Sequence, residues 1–323
     1  MRWIGLLFLG VACGPEPWST TERGLIYGLD DRTELEAAPE PWRSLGLART
    51  VALSRSSTLE PLGADLGPTL GEREPQLCSD EPFRDQSSVV DCTGVLLDAR
   101  TVLTAAHCLE LGCEGLWVVR GHALGNAEST RHRCLQVIGL DAERDLARIE
   151  LTPEITGLDP LAFGVPPAVG DGVVAIGHPL GLPLKVDRGG EVLAVEAHHF
   201  SATLDLYAGS SGSPVFDAEA RLIGLASSGS GDLVFDPQAL CLRSRISAGG
   251  GETITSVDQA RITALPTPMP TPRPEEEATG CRCPPRATKG SSFWGLMGVA
   301  ILAGRGAATS LCRSFRRARG ARP

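Results

Sequence analysis

The sequence lacks features that several protein classes require. Its 323 residues carry a formal net charge of −9, so there is no excess of positive charge. Proteins that bind nucleic acid usually present a basic face, and we therefore predict no nucleic-acid partner. The chain shows no long helical periodicity, no heptad run and no repeat of about 20–50 residues, which argues against a coiled coil or a solenoid.

Metal-binding patterns are also missing. The chain has only six histidines, and no spacing of cysteine and histidine resembles a zinc site. The stretch "CLELGC" separates two cysteines by four residues, but no second pair of ligands follows it in a suitable register. We therefore predict neither a metal nor a cofactor.

Cysteine, in contrast, is abundant. Ten cysteines are many for a cytosolic enzyme and typical of an exported protein with disulfide bonds. The start "MRWIGLLFLGVAC" places Arg2 before an apolar run and predicts a signal peptide over residues 1–12, with a linker over residues 13–24. A buried N-terminal strand is the alternative interpretation. The ending "LGVAC" resembles a bacterial lipoprotein box, but Leu9 is one residue too far from Cys13, so lipidation stays open.

The far end of the chain predicts surface attachment. Residues 265–280 hold a proline-rich run followed by three glutamates and should form an extended spacer. Residues 281–323 contain "CRCPP", the apolar run 293–304 and an arginine-rich end. This run is shorter than the roughly 20 apolar residues that a spanning helix needs. The order of these features resembles the MYXO-CTERM class of sorting signals, which implies cleavage near the cysteine; a C-terminal membrane anchor is the alternative.

Between residues 25 and 264 the pattern is all-β. Short runs rich in Val, Ile and Leu recur, such as "TVLTAAHC", "ARIEL", "GVVAIGH" and "RLIGLASSG", and Gly, Pro, Asp and Ser separate them. Many short strands joined by tight turns predict a sandwich or barrels.

Three residues in this region are candidates for catalysis. Ser211 lies in "DLYAGSSGSPVF", although such a run by itself is usually a polar turn. His107 follows the strand in "TVLTAAHC", where a base can be held rigidly; a structural histidine is the alternative. Asp145 in "ERDLARIEL" begins a strand and by itself would most simply be solvated. Together they offer a nucleophile, a base and a carboxylate that fixes the tautomer of the imidazole.

These three contexts, in the order His, Asp, Ser, resemble the chymotrypsin superfamily of trypsin-like serine proteases. The stretches "LIYGLDDRT", "LCSDEPFRDQ" and "IGHPLGLPLKV" are most similar to its bacterial glutamyl-endopeptidase-like branch. The resemblance implies an all-β fold of two packed six-stranded antiparallel β-barrels, with the active site in the cleft between them. Barrel one would span about residues 25–140 and carry His107, a connection would carry Asp145, and barrel two, about residues 155–264, would carry Ser211.

The resemblance also implies details of the site. The backbone N–H groups of Gly209 and Ser211 would form an oxyanion hole. Cys92 and Cys108 would form a disulfide that pins the loop of His107. Four further cysteines of the domain allow three pairings, between which the sequence does not choose: Cys78, Cys113, Cys134 and Cys241.

Two residues are candidates for the S1 pocket. Ala226 stands where glutamyl endopeptidases carry the histidine that reads an acidic P1 side chain, so a cation for glutamate is missing there. Asp205 precedes Ser211 by six residues, the offset at which trypsin-like enzymes carry the aspartate at the base of the pocket. We hypothesise a preference for Arg or Lys at P1. The alternative role of Asp205 is that of a hydrogen-bonded turn residue.

The predicted function is a secreted or surface-anchored serine endopeptidase that hydrolyses protein or peptide substrates through an acyl-enzyme intermediate. We expect an exported monomer, extracellular or associated with the outer membrane, which its termini attach to a membrane or to the cell surface. A catalytically inactive surface binding module that keeps the same fold is the alternative.

Overall fold

A computed structural model describes residues 26–28, 30–56, 67–228, 233–247 and 249–268. The predicted signal peptide, the linker, the C-terminal sorting segment and most of the proline-rich spacer lie outside these residues. No helix in the described ranges is both long and apolar enough to cross a membrane.

The described residues form seventeen strands and three short helices. In chain order the strands are β1 (Ile26–Tyr27), β2 (Thr33–Glu34), β3 (Thr50–Ser54), β4 (Cys92–Leu96), β5 (Thr101–Thr104), β6 (Trp117–Arg120), β7 (Thr130–Asp141), β8 (Leu146–Thr152), β9 (Gly172–Gly177), β10 (Lys185–Val195), β11 (His199–Ala202), β12 (Pro214–Phe216), β13 (Leu222–Ser228), β14 (Leu233–Asp236), β15 (Cys241–Ser244), β16 (Ile246–Ser247) and β17 (Glu252–Ser256). The helices are α1 (Trp42–Arg49), α2 (Leu70–Arg73) and α3 (Gln259–Thr263).

The first barrel consists of six antiparallel strands. Their hydrogen-bonded order is β3-β4-β5-β8-β7-β6, and the ring closes where β6 pairs with β3. Strand β8 illustrates the pattern, since Ala147, Ile149 and Leu151 are buried while Arg148 and Glu150 between them are only half-buried. Because successive side chains of a strand point to opposite faces, the apolar face of β8 fills the interior of the barrel.

The second barrel also has six antiparallel strands. Strands β9, β12, β13, β17 and β11 follow one another, and the long strand β10 closes the ring. Its first part pairs with β9 from Lys185 to Glu191, and its last part pairs with β11. The prediction of two six-stranded antiparallel barrels is therefore confirmed.

The two barrels pack against each other through a shared apolar cluster. Val95 and Leu103 of the first barrel lie in one cluster with Val174, Ile176 and Phe216 of the second. All five side chains are buried. This packing fixes the position of the loop that follows β5 relative to the loop that precedes β12.

The predicted limits of the barrels need two corrections. Barrel one does not end at about residue 140, because β8 continues to Thr152 and pairs with both β5 and β7. Asp145 therefore lies in the turn between β7 and β8, within barrel one, and not in a connection between the barrels. In addition, β2 pairs with β10 of the second barrel, and β1 forms a separate two-stranded sheet with β16, so neither of these N-terminal strands belongs to barrel one. Such long-range pairing leaves no mark on the local pattern of the sequence.

Three disulfides join described residues. Cys92 and Cys108 are bonded, as the resemblance implied. Of the three pairings left open for the other four cysteines, the structure contains Cys113–Cys134 and Cys78–Cys241. The last bond is long-range: it links the segment that follows α2 to strand β15 across 163 residues.

Candidate active site

His107 lies in a single 3₁₀ turn that follows β5. The turn spans Ala106–Leu109, and the disulfide of Cys108 ties it to Cys92 at the start of β4. The imidazole is 42% exposed. The backbone of the turn and the disulfide of the neighbouring Cys108 hold His107 in place, while its ring remains accessible to a substrate.

Asp145 meets His107 through side chain and backbone. Its Oδ2 lies 2.9 Å from Nδ1 of His107, and its Oδ1 accepts the backbone N–H of His107 at 2.9 Å. The Asp145 carbonyl accepts the N–H of Ala106 at 3.2 Å. Asp145 has a φ of 54°, a conformation that non-glycine residues seldom adopt and that is frequent at functional sites. The turn between β7 and β8 thus aims the carboxylate at the imidazole.

The contacts between the two residues shift both pKa values. The hydrogen bond that His107 donates to Asp145 is the main cause that raises the pKa of His107, against the opposing effect of burial. Burial alone would raise the pKa of Asp145, but the hydrogen bonds from His107 and Ser227 together lower it. Both shifts favour a carboxylate that stays ionised beside an imidazole able to accept a proton at Nε2.

Ser227 is a site residue that the sequence analysis missed. Its Oγ donates to Oδ2 of Asp145 at 2.6 Å, from the end of strand β13 in the second barrel. The only local signal is the pair of serines that ends "RLIGLASS", which looks like an ordinary strand terminus. The contact joins residues 82 positions apart, so only the packing of the two barrels creates it.

Ser211 lies in a turn that is fastened to the first barrel. The N–H of Thr93 donates to the Ser211 carbonyl at 2.8 Å, and the hydroxyl of Thr93 donates to the Gly209 carbonyl at 2.8 Å. The Cys108 sulfur lies 3.8 Å from the Ser211 carbonyl oxygen, so the serine turn contacts the residue next to His107. The structure therefore brings the backbone of the serine turn next to the residue that follows His107, and His107 itself is hydrogen-bonded to Asp145.

Two glycines allow this close approach. Gly209 has a φ of 93° and Gly212 a φ of 82°, both in the region that favours glycine. A Cβ atom at Gly212 would lie 2.2 Å from the carbonyl oxygen of Thr93. A Cβ atom at Gly209 would lie 2.4 Å from the carbonyl oxygen of His178. A side chain at Gly212 would therefore push the serine turn away from the first barrel, and one at Gly209 would push it away from the segment that follows β9.

The same turn leaves two backbone donors for a ligand. The N–H of Ser210 donates to Tyr207 and the N–H of Gly212 donates to Ala226. Within the described part of the chain, no acceptor contacts the N–H groups of Gly209 and Ser211. These are the two donors assigned to the oxyanion hole, whose chemistry requires donors free to meet a developing negative charge.

The two S1 candidates have different surroundings. Ala226 is buried, and its backbone holds the serine turn: its carbonyl accepts from Gly212 and its N–H donates to Ser213. Asp205 is 3% exposed and its Oδ1 accepts the N–H of Tyr27 at 2.9 Å. Its Oδ2 is buried and has no hydrogen-bond partner among the described residues. These contacts favour the hydrogen-bonded role of Asp205, and the preference for basic P1 residues stays a prediction.

Asp205 belongs to an acidic cluster in which Asp187 is also buried and Asp31 is exposed. Carboxylate oxygens of Asp31, Asp187 and Asp205 lie within 4.8 Å of one another. Burial raises the pKa of Asp205 to about 7 and, with the neighbouring carboxylates, raises that of Asp187 well above its usual range. The second group of close ligands joins His107 to Cys92 and Cys108, whose sulfurs form a disulfide and so provide no thiolate.

Comparison with known proteins agrees with this geometry at a coarse level. Residues 92–225 match the family model of the trypsin-like peptidase domain, a range that includes His107, Asp145 and Ser211. A search of curated protein sequences finds no match. Residues 92–225 are thus similar to a trypsin-like peptidase domain, and the fold is chymotrypsin-like. A place in the glutamyl-endopeptidase branch stays a prediction.

Two solved structures are similar at low sequence identity. One is the protease domain of MamO from Magnetospirillum magneticum in its apo form, with 15% identity, coverage of 70% of this chain and 99% of that chain, and a TM-score of 0.44. The other is Deg5, with 16% identity, coverage of 57% of this chain and 81% of that chain, and a TM-score of 0.40.

Proposed function

We propose that this protein is an exported serine endopeptidase. The observation that carries the proposal is the hydrogen-bonded pair of His107 and Asp145, placed beside the serine turn by the packing of the two barrels. A merely structural histidine would need neither an exposed ring nor a strained aspartate aimed at it. The three disulfides support export, since such bonds persist in oxidising compartments.

The residues suit an acyl-transfer mechanism. Ser211 Oγ attacks the carbonyl carbon of a peptide bond while Nε2 of His107 takes its proton, and Asp145 holds the Nδ1 proton and stabilises the imidazolium. The N–H groups of Gly209 and Ser211 stabilise the oxyanion of the tetrahedral intermediate. His107 then donates its proton to the leaving amine, and water hydrolyses the acyl-enzyme by the reverse sequence of proton transfers.

Covalent labelling tests this proposal. A fluorophosphonate should label the wild-type protein at Ser211, and the Ser211→Ala variant should not react. Ser201→Ala, a change on strand β11 of the second barrel, is the matched control and should label like wild type. A folded wild-type protein that does not label would support the alternative, an inactive surface binding module.

The attachment of the protein to the surface is a separate part of the proposal. Cleavage near Cys281 would leave the proline-rich spacer between the peptidase and the cell surface, which suits large extracellular substrates. Intact-mass measurement of native surface material tests this, because the mature protein should lack the arginine-rich tail. A mass that includes the tail would support a retained membrane anchor instead.

A further inference from the structure

A cavity of about 420 Å³ opens beside the serine turn. Its size falls in the range of small-ligand pockets, roughly 300–1,000 Å³, and leaves room for a large side chain. Five aliphatic residues line it, of which Leu70 and Val90 are buried and the others half-buried: Leu70, Val90, Leu180, Leu233 and Leu242.

The cavity borders the candidate oxyanion hole. Ala208 and Gly209 form part of its wall, and the N–H of Leu180, another wall residue, donates to the Ala208 carbonyl at 2.6 Å. A substrate whose carbonyl oxygen lies at the N–H of Gly209 must therefore pass the cavity close to the scissile bond. Since an extended peptide advances about 3.3 Å per residue, a side chain within two or three residues of that bond reaches the cavity.

Three of the polar residues at the cavity have hydrogen-bond partners: Arg73, Ser88 and Asp91. Nη1 of Arg73 donates to the Ser88 carbonyl at 2.9 Å and to its hydroxyl at 3.1 Å. The Asp91 carboxylate accepts the N–H of Arg55 at 2.8 Å. The lining contains two carboxylates, Glu74 and Asp91, which disfavour an acidic side chain. The aliphatic lining accordingly suits Leu, Met or Phe, because the burial of their apolar surface is favourable.

A long-range disulfide assembles this cavity. Cys78–Cys241 joins the segment of Leu70 to the β14–β15 hairpin, which carries Leu233 and Leu242. Beside the bond, the N–H of Cys78 donates to the Leu242 carbonyl at 2.8 Å, and the N–H of Leu242 donates to the Gln76 carbonyl at 2.7 Å. The two walls are thus held together by covalent and backbone bonds, so the width of the cavity is set before a substrate arrives.

We propose that this cavity is a substrate subsite for a large apolar side chain, and that Leu233 and Leu242 determine its selectivity. The inference rests on the proposed peptidase function, which it extends from the chemistry at Ser211 to the choice of substrate. Leu233 and Leu242 are specificity residues here and take no part in the chemical steps.

A peptide library tests the subsite. The library varies three residues on each side of the scissile bond, and kcat/KM is measured for wild type, Leu233→Ala, Leu242→Ala and Leu233→Phe. Wild type should prefer Leu, Met or Phe over Gly at one position by tenfold or more. The alanine variants should lose roughly tenfold of that preference, in line with the worth of a few methylene groups in an apolar pocket. Leu233→Phe should shift the preference toward smaller side chains.

Leu240→Ala is the matched control, because Leu240 lies on the same hairpin, is 75% exposed and is not part of the lining. Its preference should equal that of wild type. Fluorophosphonate labelling reports separately on the catalytic centre and on folding, and all variants should label at the wild-type rate. Labelling without any apolar preference, or an equal loss in Leu240→Ala, would overturn the subsite alone. A folded wild-type protein that does not label would overturn the subsite together with the proposed function.

Discussion

Asp145 and Asp205 are both shielded from solvent, yet their pKa values move in opposite directions. Burial raises the pKa of each, but Asp145 also accepts hydrogen bonds from the side chain and backbone of His107 and from Ser227, and its pKa is lowered. Asp205 accepts one hydrogen bond, from the N–H of Tyr27, and its pKa rises to about 7. The comparison teaches that the hydrogen bonds from His107 and Ser227 outweigh burial at Asp145, whereas the single donor at Asp205 does not outweigh burial and the nearby Asp31.

Asp145→Asn should have the largest effect, because it removes the carboxylate that accepts the hydrogen bond of His107. The amide cannot hold His107 in the tautomer that leaves Nε2 free to accept a proton, so kcat should fall by about 10⁴. Steady-state kinetics on a peptide substrate measures this. The control is Glu143→Gln in the same turn, an exposed residue whose loss should leave kcat unchanged. An Asp145→Asn variant with near wild-type kcat would remove Asp145 from the catalytic machinery.

Ser227→Ala removes one donor from Asp145 and should have a smaller effect. A hydrogen bond to a charged group contributes about 1.5–3 kcal/mol, so we expect kcat to fall roughly ten- to hundredfold with little change in KM. Ser227→Thr keeps the hydroxyl and should retain most of the activity. Equal losses in the two variants would mean that packing at β13, and not the hydrogen bond, is responsible.

Asp205→Asn tests the role of the Asp205 carboxylate by its effect on the melting temperature. Because the pKa of Asp205 is raised in the folded state, the fold holds this proton more tightly than the unfolded chain does. The stability associated with the protonated form is therefore lost as the pH rises from about 4 to about 7. Asparagine keeps an acceptor for Tyr27 without a charge, so the variant should melt roughly 5–10 °C above wild type at pH 8. At pH 4 the two should melt at similar temperatures.

The same variant addresses the S1 hypothesis. If Asp205 acts as a hydrogen-bonded residue, as its contact with Tyr27 favours, the ratio of cleavage after Arg to cleavage after other residues should not change. A selective loss of cleavage after Arg and Lys would instead assign Asp205 to the S1 pocket and confirm a preference for basic P1 residues.

The smallest expected effect is a shift in the pH at which wild-type activity reaches its midpoint. In the proposed mechanism His107 must be neutral to accept the proton of Ser211, and its pKa is raised by the hydrogen bond that it donates to Asp145. Activity should therefore rise with pH, and the midpoint of kcat/KM should lie above 6.5, the ordinary value for histidine. Removing the carboxylate in Asp145→Asn should move the midpoint of the residual activity to lower pH. A wild-type midpoint below 6.5 would contradict the raised pKa.

Much of the site was predictable because its residues stand in recognisable local contexts. His107, Asp145 and Ser211 each follow or precede a strand of predictable character, and the glycines of the serine turn are local requirements of the backbone. The oxyanion donors follow from the same turn. The end of barrel one was mispredicted because β8 looks like any other strand, and nothing near it in the sequence shows that it pairs with β5 and β7.

The sequence alone determined the all-β class, the order of the candidate catalytic residues and the Cys92–Cys108 bond, since short motifs and a known family pattern contain this information. Only the tertiary structure decided the Cys78–Cys241 pairing, the hydrogen bond from Ser227 to Asp145, the contact of Asp205 with Tyr27 and the cavity beside Gly209. Each of these joins residues between 82 and 178 positions apart, or walls from separate loops. The physical reason is that such contacts depend on strand register and on the packing of two barrels, which no local stretch of the chain specifies.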